Sequence, residues 1–300
     1  MHKVIVNQCT IELSLIPQGP ILIKSGGQGA DPTKPDMEFV ETYHQGEKVV
    51  YLPGSSLKGA IRAHSERIIA TIGLETKSFS TPNEGAKVYN SSSFIEQMFG
   101  STKIASRVRI EDAYPSAAVP LVMEERNSVA IDRVTGATSG TGLFNYQVCT
   151  SAKFTTKLHL KNFSLAQLGL IALVLRDLNE GWLGLGYGKS RGMGTVQVNY
   201  GKAVVRYPGC VVGRDGKIRR IGPSSLNESW SAGTLLGAGE FLEPKNAYGF
   251  PQPDQKDVTI AATKMALGIG AQIEWEDDPT ELLTKAVEQW SVLLTREQLV

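Results

Sequence analysis

Residues 151–184 read SAKFTTKLHLKNFSLAQLGLIALVLRDLNEGWLG. From Ser151 to Leu160 polar and apolar residues alternate, the period of a half-buried strand. Ser164 is a helix N-cap residue, and Leu168, Ile171, Leu175 and Leu178 then recur at helical spacing. Gly181 stands where a helix ends in a left-handed residue. A glycine-rich loop follows, and GTVQVNYGKAVVRY over 194–207 reads as a closing strand. The stretch is therefore strand, helix, strand.

An earlier part of the chain has the same pattern. In YLPGSSLKGAIR, residues 51–62, Pro53-Gly54 ends what precedes it. Ser55 or Ser56 then offers an N-cap for a helix running to about Gly73, with Leu57, Ile61, Ile68 and Ile72 as its stripe. Before it, KVIVNQCTIELSL over 3–15 is a first strand, and ILIK at 21–24 continues it or opens a second. Residues 25–38 are loop, and FVETYHQGEKVVYL forms two short strands about a turn at Gln45-Gly46. After the helix, residues 73–103 are a polar insertion with a short helix near FIEQMFG, and ASRVRIEDAYP at 105–115 is strand-like. Residues 116–150 are an excursion with a glycine- and threonine-rich tip. The order through residue 206 is strand, helix, strand, excursion, strand, helix, strand. That is an α+β, ferredoxin-like plan, the plan of RNA-recognition sheets. Residues 207–300 form a C-terminal extension. It is turn-rich and ends in a helix from about Asp278-Pro279 with Leu282, Leu283, Ala286, Val287 and Trp290 on its apolar face.

Three hundred residues suffice for a large core. No stretch has the length of a transmembrane span or a signal peptide's apolar region, so we expect a cytoplasmic protein without a membrane partner. Cys9, Cys149 and Cys210 are scattered with no CxxC, which argues for a reducing compartment and against a disulfide framework or a zinc site. The net charge of +1 carries no global signal. Residues 206–300 hold 10 Lys and Arg against 13 Asp and Glu, and residues 1–205 hold 21 against 17. That asymmetry permits a local nucleic-acid groove without establishing one.

Two stretches suit a polyanion. A helix N-terminus offers unpaired N–H groups and the positive end of a dipole. Ser55, Ser56, Lys58 and Arg62 would complete a phosphate-sized site there, or they are an ordinary cap and solvated basic residues. GWLGLGYGKSRGMG at 181–194 fails the P-loop test, because Leu183 stands where the first glycine belongs. It fails the dinucleotide fingerprint too, since Lys189 or Arg191 occupies the third glycine position and the loop precedes a strand. Gly186, Gly188, Lys189, Ser190 and Arg191 still let a backbone approach a polyanion closely; the plain alternative is a tight connection.

PGSSLKGAIR at 53–62 and GLGYGKSRGMGTV at 184–196 resemble the helix-opening motif and the C-terminal glycine loop of the RAMP superfamily of CRISPR systems. SVAIDRVTGATSGTGLFNYQVCTSAKF at 128–154 resembles the thumb hairpin of backbone subunits of type III CRISPR effector complexes. Residues 207–300 match nothing in that pattern, which suggests a divergent subfamily. The resemblance implies an RNA-recognition-like palm over 1–206, with a long β-hairpin thumb at about 116–150. It implies a subunit that binds CRISPR RNA beside other RAMP subunits. The thumb core, Ile131, Asp132, Arg133, Val134 and Thr135, would displace a base. It also implies cleavage of guide-paired target RNA, by a metal-dependent endoribonuclease activity. The residue would be Asp36 with a divalent ion such as Mg²⁺, and Asp31 is a second candidate. A held 2′-OH beside a carboxylate makes that chemistry plausible. Otherwise Asp36 is a turn residue. Three rivals stay open. One is a structural guide-binding subunit without catalysis. The second is a precursor-processing endonuclease, for which neither His44 nor His64 sits in a convincing motif. The third is an unrelated ferredoxin-like enzyme with a small substrate. We expect His44 to be solvated and His64 to pack on the sheet.

Overall fold

The computed structural model describes residues 4–26, 34–74, 85–222, 228–243 and 248–297. The first strand, β1 (Gln8–Pro17), alternates buried and half-buried residues without a break, as its sequence requires. Residues 21–24 make only single bridges, Ile21 to Cys149 and Lys24 to Phe39, not a second strand. A hairpin of β2 (Glu41–His44) and β3 (Glu47–Val50) turns at Gln45-Gly46 and leads into helix α1 (Gly54–Thr71). Its buried row is Leu57, Ile61, Ser65 and Ile69, every fourth residue, whereas Ile72 lies past the helix end and is exposed. The sequence stripe named Ile68 and Ile72, one position out of phase beyond the second turn. The insertion contains α2 (Gly85–Asn90) and α3 (Phe94–Phe99), the latter closed by a Ser93–Glu96 capping box.

Strands β4 (Val108–Ile110) and β5 (Tyr114–Pro115) precede a long hairpin of β6 (Val122–Ile131) and β7 (Thr138–Ser151). Then come β8 (Phe154–Lys161), α4 (Leu165–Asn179) and β9 (Val196–Tyr207). Ser164 caps α4 with Gln167 in a capping box. All four stripe residues of α4 are buried, and so are Leu165, Ala166, Leu170, Ala172 and Val174 on its other sides. A helix apolar all round is covered on two faces.

The C-terminal residues supply the second cover. Small strands β10 (Cys210–Val212), β11 (Lys217–Arg220) and β12 (Ser229–Ser231) form one sheet, and β13 (Thr234–Leu236) pairs with β14 (Gln255–Asp257). Strands β15 (Thr263–Lys264) and β16 (Ala271–Trp275) join the main sheet, and α5 (Thr280–Glu297) packs along α4. A Cβ on Gly169 would lie 2.4 Å from the Ala286 carbonyl oxygen, so only glycine lets these helices approach so closely. Leu282, Ala286 and Trp290 are buried in that contact.

The main sheet runs β15-β16-β9-β1-β8-β4, every neighbour antiparallel, with β5 also on β8. Helices α1 and α4 cover one face, where Leu13 and Leu15 of β1 meet Leu57, Ile61, Leu175 and Leu178. The other face carries Gln8, Thr10, Glu12 and Ser14 and is open.

Candidate nucleic-acid interface

Helix α1 begins at Gly54, and its N-cap is Pro53, with no side-chain cap. Neither Ser55 nor Ser56 caps it, because both lie inside the first turn. The cap function comes from 58 residues away: Asp112 Oδ1 accepts the Gly54 N–H at 2.7 Å. Lys58 and Arg62 do share a face, lining a groove of about 690 Å³ with Gly100, Ser101, Thr102 and Ser106. They are not equivalent. The Arg62 guanidinium donates to Glu66 at 3.0 Å and to the Gly100 carbonyl at 3.0 Å, tying α1 to the end of α3. The Lys58 side chain has no hydrogen bond or ion pair among the described residues. Burial, then the Arg62 charge, lowers its pKa from the ordinary lysine value.

The glycine loop lies beside the first turn of α1: Leu57 and Leu185 line one small apolar gap under the sheet. Its glycines serve the protein's own backbone first. Gly186 has φ +75°, and a Cβ there would sit 2.2 Å from the Leu22 carbonyl oxygen. Tyr187 N–H donates to that same carbonyl at 2.8 Å and Gly194 N–H to Pro20 at 2.9 Å, so the loop is stitched to residues 20–22. Gly188 precedes one 3₁₀ turn, Lys189–Arg191, in which all three residues are exposed. Arg191 stacks over the Tyr187 ring and donates to its hydroxyl at 2.7 Å. Lys189 and Ser190 make no such contact among the described residues, so Lys189 is the free cation here.

In the long hairpin, Ile131 is 62 % exposed and Val134 at the tip 94 % exposed. Asp132 holds the tip's shape, its Oδ1 accepting the N–H of Val134 at 2.8 Å and of Thr135 at 2.9 Å. Those bonds hold its carboxyl below the ordinary value. Arg133 points into solvent at the same turn.

Asp36 is exposed and belongs to the hairpin's base. Its N–H donates to Asn145 Oδ1 at 2.8 Å, and its Oδ2 accepts the Asn145 N–H at 2.9 Å. Asn145 Nδ2 reaches on to Glu125 Oε1 at 2.9 Å. Nothing in the local sequence marks Asn145 as the partner, 109 residues away. Asp31 lies outside the described residues. No group of three His, Cys, Asp or Glu side chains gathers for a metal among the described residues. The donor chemistry of Asp36 suits a hard divalent ion, but it brings one carboxylate with one oxygen already engaged.

A family model for the RAMP superfamily matches residues 17–197, from the end of β1 through the glycine loop. The chain belongs to the RAMP superfamily. Membership implies a CRISPR RNA-binding protein of a CRISPR-associated complex. No curated protein matches the sequence. Among the described residues no helix is long and apolar enough to cross a membrane. Within this RAMP chain the histidines have other places than expected. His44 stacks on Tyr114 with ring centroids 3.8 Å apart. His64 pairs with Asp177 of α4 at 2.7 Å, not with the sheet.

Proposed function

We propose that this RAMP chain is a backbone subunit of a type III-like effector complex, with a palm over 1–206 that grips CRISPR RNA and the β6–β7 hairpin as its thumb. The observation that carries the reading is the hairpin: a two-stranded arm whose apolar tip is exposed while its base is tied into the palm. Exposed apolar residues at the end of an arm suit insertion between bases, where neighbouring rings replace water. Lys58 and Lys189 supply the guide's phosphates with free cations, beside Ser55, Ser56 and the glycine loop. Residues 207–300 buttress the palm, and the complex is cytoplasmic, formed with CRISPR RNA, target RNA and other RAMP subunits.

For cleavage, we assign Asp36 as the residue that acts on target RNA. Displacing a nucleotide leaves its 2′-OH free to attack the adjacent 3′ phosphorus in line, forming a 2′,3′-cyclic phosphate and releasing the 5′-oxygen of the next nucleotide, and positioning contributes much of the rate. Asp36 would accept the 2′-OH proton or hold a divalent ion such as Mg²⁺, whose other ligands would be RNA oxygens and water. When bound, the ion would stabilise charge on the phosphate. The Asn145 clamp fixes Asp36 at the foot of the thumb. The same clamp favours the second reading, a structural subunit in which Asp36 only ties the loop to the thumb.

Asp36→Asn decides between them. Cleavage of guide-paired target, measured in the assembled complex, should fall about 10²–10⁴-fold while RNA binding survives. A 2′-deoxy sugar at the cut should abolish cleavage without weakening binding, because the nucleophile is missing. A fall of less than about threefold against that range would leave the structural reading standing.

A further inference from the structure

The open face of the main sheet, opposite the one that α1 and α4 cover, carries a second trough. At its far end is a cavity of about 600 Å³ lined by Arg109, His159, Lys161 and Arg206, with no carboxylate among its lining residues. Gln8 pairs with Lys161 on one side and Arg206 on the other, so the two cations flank it on one face of the sheet. Neither side chain makes a hydrogen bond or an ion pair among the described residues. The neighbouring carboxylates are engaged. Glu111 accepts from His159 at 2.8 Å and pairs with Arg109 at 3.2 Å, and Glu274, on which the Arg206 charge also acts, is held by Lys202. His159 is fixed from its other side by Thr10 at 3.1 Å.

Arg109 also lines a larger cavity, of about 980 Å³, further along the same face. There Lys153 is unpaired among the described residues. His44 forms one wall, the end ring of a stack in which Tyr114 lies between His44 and Tyr51. Of that cavity's acids, Glu12 pairs with Lys157 and Asp112 caps α1.

We infer that this trough is a second binding site for single-stranded RNA: Lys161 and Arg206 hold phosphates, and the outer face of His44 takes a base. The inference rests on the RNA-binding reading of the chain. Lys161 and Arg206 are two strands apart, about 10 Å between backbones. Consecutive phosphodiesters of one strand match that span, one at each cation. An acidic peptide would satisfy the cations but leave the stacked rings unused, while stacked rings beside cations are how proteins hold single strands.

The test uses the whole chain and a single-stranded oligouridylate, with affinity measured by fluorescence anisotropy across a salt series. Lys161→Ala with Arg206→Ala should reduce the slope of log affinity against log salt by about 1.4, two phosphates at about 0.7 each. Lys161→Gln with Arg206→Gln keeps the aliphatic stems and should do the same, which separates lost charge from lost folding. His44→Ala should weaken binding roughly tenfold at every salt concentration with no change in slope, as loss of a stacked base does. If the wild-type chain binds RNA and both double variants keep its slope, this site is refuted and the RNA-binding reading stands. If the wild-type chain binds no RNA, that reading fails and the trough assignment fails with it. Unchanged slopes together with lost self-association would make the face a protein interface and overturn the assignment.

Discussion

Lys58 and Arg62 look alike in the sequence, two basic residues one turn apart on α1, but the fold gives them different tasks. Arg62 is committed to Glu66 and to the Gly100 carbonyl, whereas Lys58 is left beside it without an anion. Lys58→Ala should therefore flatten the salt dependence of guide RNA binding by about 0.7, the share of one phosphate on a single strand, with little change in stability. Arg62→Ala should do the reverse. It removes a charged donor from a buried carbonyl, so thermal unfolding should shift by an amount equivalent to about 1.5–3 kcal/mol while the slope holds. A slope change in Arg62→Ala equal to that of Lys58→Ala would show that Arg62 leaves its protein partners for the RNA. The glycine loop gives the same lesson. Six glycines suggested room for a polyanion, but Gly186 has no space for a side chain against the Leu22 carbonyl and Gly194 none against Leu185, while the turn at Lys189–Arg191 is exposed.

Among the elements, the β6–β7 hairpin stands apart because its two halves have different environments. Tyr146, Val148 and Cys149 near its base are buried, and Ile21, Met37 and Phe39 bond to that base through Cys149 and Gln147. Beyond Phe144 the arm exposes Leu143, Val129, Ile131 and Val134. Cutting the arm between those halves removes no core residue. Replacing residues 131–141 by a two-residue turn should leave the melting temperature within about 2 °C of wild type, since surface changes away from the core stay within about 0.5 kcal/mol. Unfolding of the shortened protein in a calorimeter would place the tip in the core and remove the thumb assignment. RNA binding should weaken, and the salt slope should change by no more than about 0.7, the share of one phosphate at Arg133.

For the whole molecule, the main join is between the RAMP region and the residues after it. Asp254, fully buried, accepts the N–H of Leu165 at 2.9 Å and of Gly239 at 2.8 Å, so it caps α4 from the C-terminal part of the chain. Burial raises its pKa to about 7, opposed by those two N–H groups and assisted by Glu240. Its pKa is higher in the folded chain than in the unfolded one, about 3.9, so the folded state binds the proton more tightly. Asp254 thus contributes stability that is complete below about pH 4 and is lost as pH rises through about 7. Relative to Asp254→Asn, the wild-type melting temperature should fall between about pH 4 and 7 and level above that, the steepest change being about 1.4 kcal/mol per pH unit. Parallel pH profiles for the two proteins would mean that Asp254 stays charged in its buried site.

Much of this architecture is local and therefore legible in one chain. Ser164, Gln167 and the stripe of α4 specify that helix, and Gln45-Gly46 specifies the β2–β3 turn. The Ile131–Thr135 core with its glycine-rich flank marks an arm and not a core strand. In each case propensity, period and turn chemistry act within a few residues of one another. What only the tertiary structure decided was partnership across the chain. Asp112 caps a helix 58 residues before it, and Asn145 clamps Asp36 from 109 residues away. Arg62 is taken by a carbonyl of the insertion, and His64 by α4. The helix that reads as one stripe is buried on two sides because α5 returns to cover it. Hydrogen bonds and burial depend on distance in space, and a sequence period states which face is apolar without stating what will cover it.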